Sequence, residues 1–486
     1  MAWCFGDGFD LYAVPADALV GFWDSGTASA LSLVTGRFTG SQAMRNVGSP
    51  MVKNSGANDS VHHIVCAFQQ TATLSGTTMG TYLQLLDASN GQVCIVFRSD
   101  GAIVLTSGTP AGAQLAIWTT AVTVLNAWYA FEFEVVISQL AGSFSIRRNG
   151  STSNDFNQSG INTKPSTNAY ANRLQYGMSG FVGYQHIDDL LWRSDTSTVA
   201  WVGDLRCYTR LPTTDVSTQF GRSPSILVQT LTPNTTTSDV TATARYTPFT
   251  PTVTGSIATI LASFGTGFTG NCKMAIFTDV GNNPGAVLGS ATPVVNPAGG
   301  NNTFTFGTPV SVTRGVQYWF GISHDVTATV SINTTTIGRT GATVSYASFP
   351  VASPSTSTGQ YQVGNSVNIN TTVNAEMVSE AHQDATATYV YDSVSGHADL
   401  YALGSLGTTP IGVVAVTTRA YVQKSDAGFR SGTVQIKSGA TTYQTPTVTL
   451  GTNFAWTWRT DVLDPNTGAP WTPTNVSALQ FGPIVV

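Results

Sequence analysis

The sequence predicts an all-β protein built of tandem antiparallel β-sandwiches (jelly rolls), and three observations carry that prediction. Charged residues make up only 10% of the chain, and the only glutamates are Glu132, Glu134, Glu376 and Glu380. Long amphipathic helices need Glu, Lys, Arg and Leu on their solvent faces, so this composition excludes them as the main architecture. Short apolar runs with period-two alternation recur along the chain, and turn residues, among them 48 glycines, separate them. At 486 residues the chain is too long for one ordinary core, and roughly two to four domains are expected.

In chain order, Trp3 to Tyr12 opens with strand character, and Ala16 to Gly48 is small and polar with Trp23 and Phe38 as its large anchors. His63 to Phe68, Thr81 to Leu86, Gln92 to Arg98, Ile103 to Thr106 and Gln114 to Thr119 read as strands of an antiparallel sandwich. The clearest strand is Trp128 to Ile137, where Tyr129, Phe131, Phe133, Val135 and Ile137 share one face and Glu132 and Glu134 the other. Gly142 to Gly150 alternates and ends in an Asn-Gly hairpin turn. His186 to Trp192 and Trp201 to Tyr208 are two further β-prone runs around the polar turn Arg193 to Thr198.

A boundary is expected between Phe220 and Leu231, giving domains 1–222, 223–375 and 376–486. In the second, Ile257 to Phe264, Cys272 to Asp279, Val287 to Pro293, Thr303 to Phe306 and Val316 to His324 are strands joined by Gly- and Asn-rich turns. In the third, Ile411 to Gln423 and Gly432 to Lys437 are strands joined through Asp426-Ala427-Gly428. Thr447 to Leu450 starts another, and Trp471 pins the Asp464 to Trp471 loop to the core.

The net charge of -5 contains no Lys/Arg cluster, which excludes an electrostatic footprint for nucleic acid. No basic and apolar leader opens the sequence and no run of about 18 apolar residues occurs, so a soluble, leaderless chain without membrane insertion is expected. Cys4, Cys66, Cys94, Cys207 and Cys272 are odd in number and lack CxxC spacing, which reads as buried reduced thiols.

Glu132 and Glu134 sit about 7 Å apart on one strand face, a distance compatible with paired glycosidase carboxylates. Val136 takes the place of a third acid, so a solvated strand face is the expectation and hydrolysis is not. Asp188 and Asp189 are candidate calcium ligands, with capping of backbone amides as the competing reading. His62 and His63 point to opposite faces and read as one core and one surface histidine. His324-Asp325 and His382 with Asp384 lack a partnered nucleophile motif. Trp456, Trp458 and Trp471 either stack on sugar rings or close the end of a sandwich. The sequence marks no catalytic residue and no complete metal site, and it does not single out ligand-binding residues.

Ile187-Asp188-Asp189-Leu190, then Gly203-Asp204-Leu205-Arg206, Leu211-Pro212 and Asp215, with the opening Trp3 to Tyr12, resemble the concanavalin A-like (laminin G-like) jelly rolls of tailed-bacteriophage virion structural proteins. The resemblance runs to about Phe220 and implies that first and last strands lie together, with Phe9 and Tyr12 against Val202 to Tyr208. Ala275 to Asp279, Pro284 to Leu288, Val310, Gly315 and Tyr318-Trp319-Phe320 resemble jelly-roll accessory modules of surface and extracellular proteins. Glu380 to Ala385, Tyr389-Val390, Asp399 to Tyr401, Arg419 to Tyr421, Lys424 to Gly428, Lys437 to Gly439 and Asp464 to Gly468 together resemble a phage virion module.

These resemblances imply a non-enzymatic structural component of a tailed-phage virion, associated with the tail, baseplate or fibre and contributing to host-surface glycan attachment. The alternative is a purely architectural capsid-decoration or head or collar fibre protein, and the third reading is a polysaccharide depolymerase. Implied partners are other virion proteins, further copies of the chain in a homo-oligomer, expected as a trimer, and a host glycan. Calcium is the one cofactor considered, and the location implied is the virion, made in the host cytoplasm.

Overall fold

Alternation along Trp128 to Val136 becomes the strand that organises the first core: Phe131, Phe133 and Val135 are fully buried and Tyr129 nearly so. The computed structural model describes all residues except 1–2, 20–21, 181–183, 198–199, 223–225, 240–242, 342–343, 355, 380–387, 407–409 and 445–446. His382 and Asp384 therefore lie outside the described residues. The chain divides into two units, one of Met1–Gln219 with Ser393–Val486 and one centred on Phe220–Ser379. The segment expected as a third sandwich, 376–486, thus lies largely in the first unit.

Among the described residues, the first 195 positions carry fourteen strands. They are β1 (Trp3–Asp7), β2 (Leu31–Thr35), β3 (Gln42–Asn46), β4 (Met51–Asp59), β5 (Val61–Gln70), β6 (Met79–Asp87) and β7 (Asn90–Arg98). There follow β8 (Ile103–Ser107), β9 (Gln114–Trp118), β10 (Trp128–Val136), β11 (Gly142–Arg148), β12 (Phe156–Ile161), β13 (Ala171–Met178) and β14 (Gln185–Asp195). One sheet runs β12-β11-β10-β5-β14-β3-β2, with β1 also on β14, and the other runs β4-β13-β6-β7-β8-β9. Facing inner sides bury Phe68 on Phe97 with centroids 4.1 Å apart, and Phe131 and Phe133 beside them. This is a two-sheet antiparallel β-sandwich whose alternating residues fill the space between the sheets. The Asn149-Gly150 turn takes positive φ at both residues (53° and 74°), as a tight hairpin connection requires.

Trp201 to Tyr208 departs from expectation. Its residues join no ladder and run as irregular chain over the outer face of the first sheet. The strand that β1 pairs with is β14, through Trp3↔Ser194 to Asp7↔Leu190. Phe9 and Tyr12 are fully buried in the first core. The β-prone composition was correct for burial but not for pairing, because Glu132 and Asp189 take up the amides of Val202, Gly203 and Cys207 in place of a neighbouring strand.

Within the first unit, Pro212–Ser217 pairs with Leu400–Leu403, which continues to Gln480–Val485 and Ser431–Ser438. Val416–Val422 pairs with Ala455–Asp461 in a separate two-stranded ribbon. Trp458 of that ribbon packs edge-on against Phe5 and Phe22 at 6.0 and 5.5 Å, and Trp456 Nε1 donates to Asp17 O at 3.2 Å. These two tryptophans close the sandwich, and Trp471 Nε1 donates to Asp461 O at 2.8 Å to hold its loop.

The second unit is also β-rich. Gly255–Phe264 pairs with Gly300–Val312 and Asn365–Ile369, while Ala244–Phe249, Tyr318–His324, Asn271–Asp279 and Pro284–Ser290 lie side by side in that order. Its core gathers Ile260, Phe264, Met274, Ile276, Phe304, Phe320 and Ile322.

Candidate functional site

The two acids of β10 lie on the face of the sheet that points away from the core, as the alternation requires. That face is not solvated at Glu132. The segment 201–203 crosses it, and Glu132 is only 3% exposed. Its carboxylate accepts the N–H groups of Val202 and of Gly203 (2.9 Å) and lies 3.0 Å from His63 Nε2. The Trp201 ring meets His63 edge-on at 5.2 Å, and the Arg147 guanidinium lies 4.2 Å over Trp201. Both Glu132 oxygens are thus committed to a strap, with neither left facing a substrate. Glu134 is half-buried, and burial pushes its carboxyl above the usual range.

Both neighbouring histidines are fully buried, so the expected surface histidine is absent: His63 lies under the strap and His62 inside the sandwich. His62 Nε2 is 2.9 Å from Asp59 O, and its Nδ1 accepts from Trp192 Nε1 at 3.3 Å. This fixes the neutral ring, and burial depresses its pKa from 6.5 to about 4. Below pH 6.5 the unfolded chain takes a proton that the folded ring refuses, so stability falls as pH drops from 6.5 towards 4. The loss at pH 4 is on the order of 3 kcal/mol from this group. Urea titrations of wild type and His62→Gln across that range are expected to converge towards pH 4, and parallel curves would refute the assignment.

Asp188 and Asp189 sit where β14 shifts register against β5, and Asp189 holds φ at 50°. Asp188 accepts from Arg37 N at 2.8 Å and from Asp189 N at 2.8 Å, and Asp189 accepts from Cys207 N at 2.7 Å. The Arg37 guanidinium lies 4.0 Å from Asp189 Oδ2 and clasps Asp204 at 2.5 and 2.6 Å. Burial raises both Asp188 and Asp189, and the Asp188 charge raises Asp189 further. A calcium ion needs six or more oxygens. Here three of four carboxylate oxygens already hold amides and a guanidinium flanks the fourth, so the donor set does not fit that ion. Among the described residues no group of three or more His, Cys, Asp or Glu is gathered as a metal would need.

The remaining candidates separate. His324 Nδ1 bonds Val326 O at 2.6 Å, and Asp325 accepts from Asn271 N at 2.7 Å. All five cysteines are free; four are buried and Cys207 is partly so.

A second place was not legible in the sequence. At one end of the β4-β13-β6-β7-β8-β9 sheet, three connections surround a depression of about 520 Å³. Its walls are Asp87 to Gly91, Ser107 to Thr109 and Pro165 to Asn168, without a Lys, Arg or His. The turns meet closely because Gly91 has no side chain: a Cβ there would fall 2.0 Å from Gly108 O. Asn168 Nδ2 donates to Asp87 Oδ2 at 2.8 Å and to Tyr170 Oη at 3.0 Å. Buried Gln92 anchors the third connection, donating to Ser166 Oγ, Asn168 O and Tyr170 O at 2.7, 2.7 and 2.8 Å. Asp87 is therefore a fixed acceptor, with Ser89, Asn90, Thr109 and Thr167 exposed around it. Such a set can hydrogen-bond neighbouring hydroxyls and offers nothing to neutralise an anion.

No protein-family model matches the sequence, and no curated protein matches it. Among solved structures the chain is similar to the galectin LEC-6 of Caenorhabditis elegans (13% identity, 35% of this chain and 99% of that one, TM-score 0.22). It is similar to the exoplasmic/lumenal domain of VIP36 in its Ca2+/Man3GlcNAc-bound form (9% identity, 38% and 90%, TM-score 0.25). A third is the catalytic domain of the glycoside hydrolase family 131 protein from Coprinopsis cinerea (10%, 41% and 97%, TM-score 0.27). At these identities and TM-scores the likeness carries no argument about this chain.

Proposed function

We propose that this chain is a non-enzymatic structural component of a tailed-phage virion, associated with the tail, baseplate or fibre, and that its first sandwich attaches to a glycan on the host surface. The phage assignment rests on the sequence resemblances around Ile187 to Asp215 and Asp399 to Gly468. The attachment role rests on one observation, the uncharged-to-acidic depression in which Asp87 is held by Asn168 between three turns. A carboxylate so held accepts from ring hydroxyls, while exposed amide and hydroxyl side chains supply partners for the others. A shallow site of this kind binds weakly, and many copies on one particle raise the avidity.

The test is an array of bacterial surface polysaccharides probed with the fluorescently tagged full chain, beside microscopy of host cells. Wild type is expected to bind without releasing reducing ends, and Asp87→Ala to bind at least about tenfold more weakly, equivalent to about 1.4 kcal/mol. Binding unchanged by Asp87→Ala sinks the site. A folded wild type that ignores every glycan and every cell but coats virions lacking it replaces attachment with the architectural role.

A further inference from the structure

The side chain of Lys53, on β4, is only 2% exposed. Lysines rarely bury this far without a partner. Here Nζ lies 3.1 Å from Asp24 Oδ1 and donates to Phe22 O. The rings of Trp458 and Phe5, with centroids 4.3 and 5.2 Å away, wall it from water. Burial pushes the amine below the usual lysine range, against the pull of the Asp24 charge.

Asp24 is held to meet it. Its N–H donates to Val52 O at 2.9 Å and Val52 N donates to Ser25 O at 2.9 Å, so the backbones beside the two side chains are clamped together. Asp24 Oδ2 accepts from Asn54 N and Asn54 Nδ2 at 2.5 and 2.7 Å. Those bonds fix the carboxylate, draw charge towards Oδ2 and leave Oδ1 to the amine. The Asp24 side chain is 33% exposed, which gives a small product a way out.

The geometry points to a covalent amide between Lys53 and Asp24, formed by the folded chain itself. Lys53 Nζ passes one proton to Asp24 Oδ1 and attacks Cγ. An Nζ–Cγ bond forms, the Cγ–Oδ1 bond breaks, and a second Nζ proton leaves with Oδ1 as water. Oδ2 stays as the amide oxygen on the two Asn54 donors, and the remaining N–H still donates to Phe22 O. An ammonium and a carboxylate enter and a neutral amide and one water result, so no outside reagent is needed. Free in water the condensation is unfavourable, but groups held in contact reach effective concentrations of about 10⁵ M or above. Removing a charge from the buried Lys53 site favours the same direction. The bond ties β4, the edge strand of its sheet, to the connection beside it.

The experiment is an intact mass measurement of the purified, denatured full chain, followed by tryptic mapping. Wild type is expected to weigh one water less than its sequence. The missing water is expected in a branched fragment that joins the tryptic segment ending at Arg37 to the segment from Asn46 to Arg98, with Lys53 uncut. Asp24→Ala and Lys53→Arg are each expected at the full mass of their own sequences. Because Lys53→Arg keeps the positive charge, it separates the bond from the ion pair. The wild-type fragment decides the matter even where a variant fails to fold. A wild type that is folded by circular dichroism, yet keeps its full mass after days at neutral pH, overturns the inference. So does a water loss that persists in Asp24→Ala, or a trypsin cut after Lys53 in the wild type.

Discussion

Glu132→Ala is expected to lower the stability of the first unit by about 3–5 kcal/mol, chiefly the cost of leaving two buried amide donors without an acceptor at about 1–3 kcal/mol each. The carboxylate is almost fully enclosed, and the amides of Val202 and Gly203 depend on it, with His63 Nε2 3.0 Å away. Alanine leaves two N–H donors without an acceptor, in a place from which Trp201 and Arg147 help exclude water. Glu132→Gln keeps an acceptor and is expected to lose less. Denaturant unfolding followed by tryptophan fluorescence reads both variants. If Glu132→Ala unfolds at the wild-type denaturant concentration, the strap is not held as described.

That residue also shows where sequence reading stopped. Alternation assigned Glu132 to the face away from the core, and that was correct, because period two is a property of the strand itself. What covers the face is set by a segment some seventy residues later, which no local pattern encodes. Trp201, Val202 and Leu205 were legible as residues that need burial, and they were placed in a strand because β-propensity measures fit to a half-buried surface rather than ladder pairing. His63 failed for the same reason as Glu132.

The sandwich of the first unit was legible almost strand by strand, since Phe131, Phe133, Phe144 and Ile146 alternate with polar neighbours and Asn149-Gly150 marks the turn. The polar depression was not. Asp87, Asn90 and Asn168 lie in separate connections, and each alone reads as an ordinary turn residue. Their convergence depends on sheet order, in which β6, β7 and β8 are neighbours while β13 returns to β6 from far along the chain. The pairing of Val416–Val422 with Ala455–Asp461 was hidden likewise, because the nearer Asp426-Ala427-Gly428 turn suggested a hairpin with Ser431–Ser438.

Asp7→Ala is expected to cost the first unit about 4–5 kcal/mol, among the largest effects of a single substitution. Asp7 ends β1 and accepts from Phe9 N (2.9 Å), Tyr12 Oη (2.7 Å) and Trp23 Nε1 (2.8 Å), all in a site without solvent. Arg419 of the C-terminal ribbon stands beside it, donating to Tyr12 Oη at 3.3 Å and stacking on Phe22 and Trp456 at 4.5 and 4.9 Å. Burial raises the Asp7 carboxyl despite Arg419 and the three donors, so the charge itself is held at a cost. The loss on truncation therefore comes chiefly from orphaned donors, each worth about 1–3 kcal/mol when buried, rather than from a lost ion pair. Asp7→Asn separates these contributions: it keeps an acceptor and removes the charge, so it is expected to lose about half as much as Asp7→Ala. An Asn variant as unstable as the Ala variant would assign the effect to the charge facing Arg419. Thermal unfolding of both, with Arg419→Met as the reciprocal variant, distinguishes the two origins. If donors dominate, Asp7→Ala and Arg419→Met add, and if the charge pair dominates, the double variant loses little more than either single one.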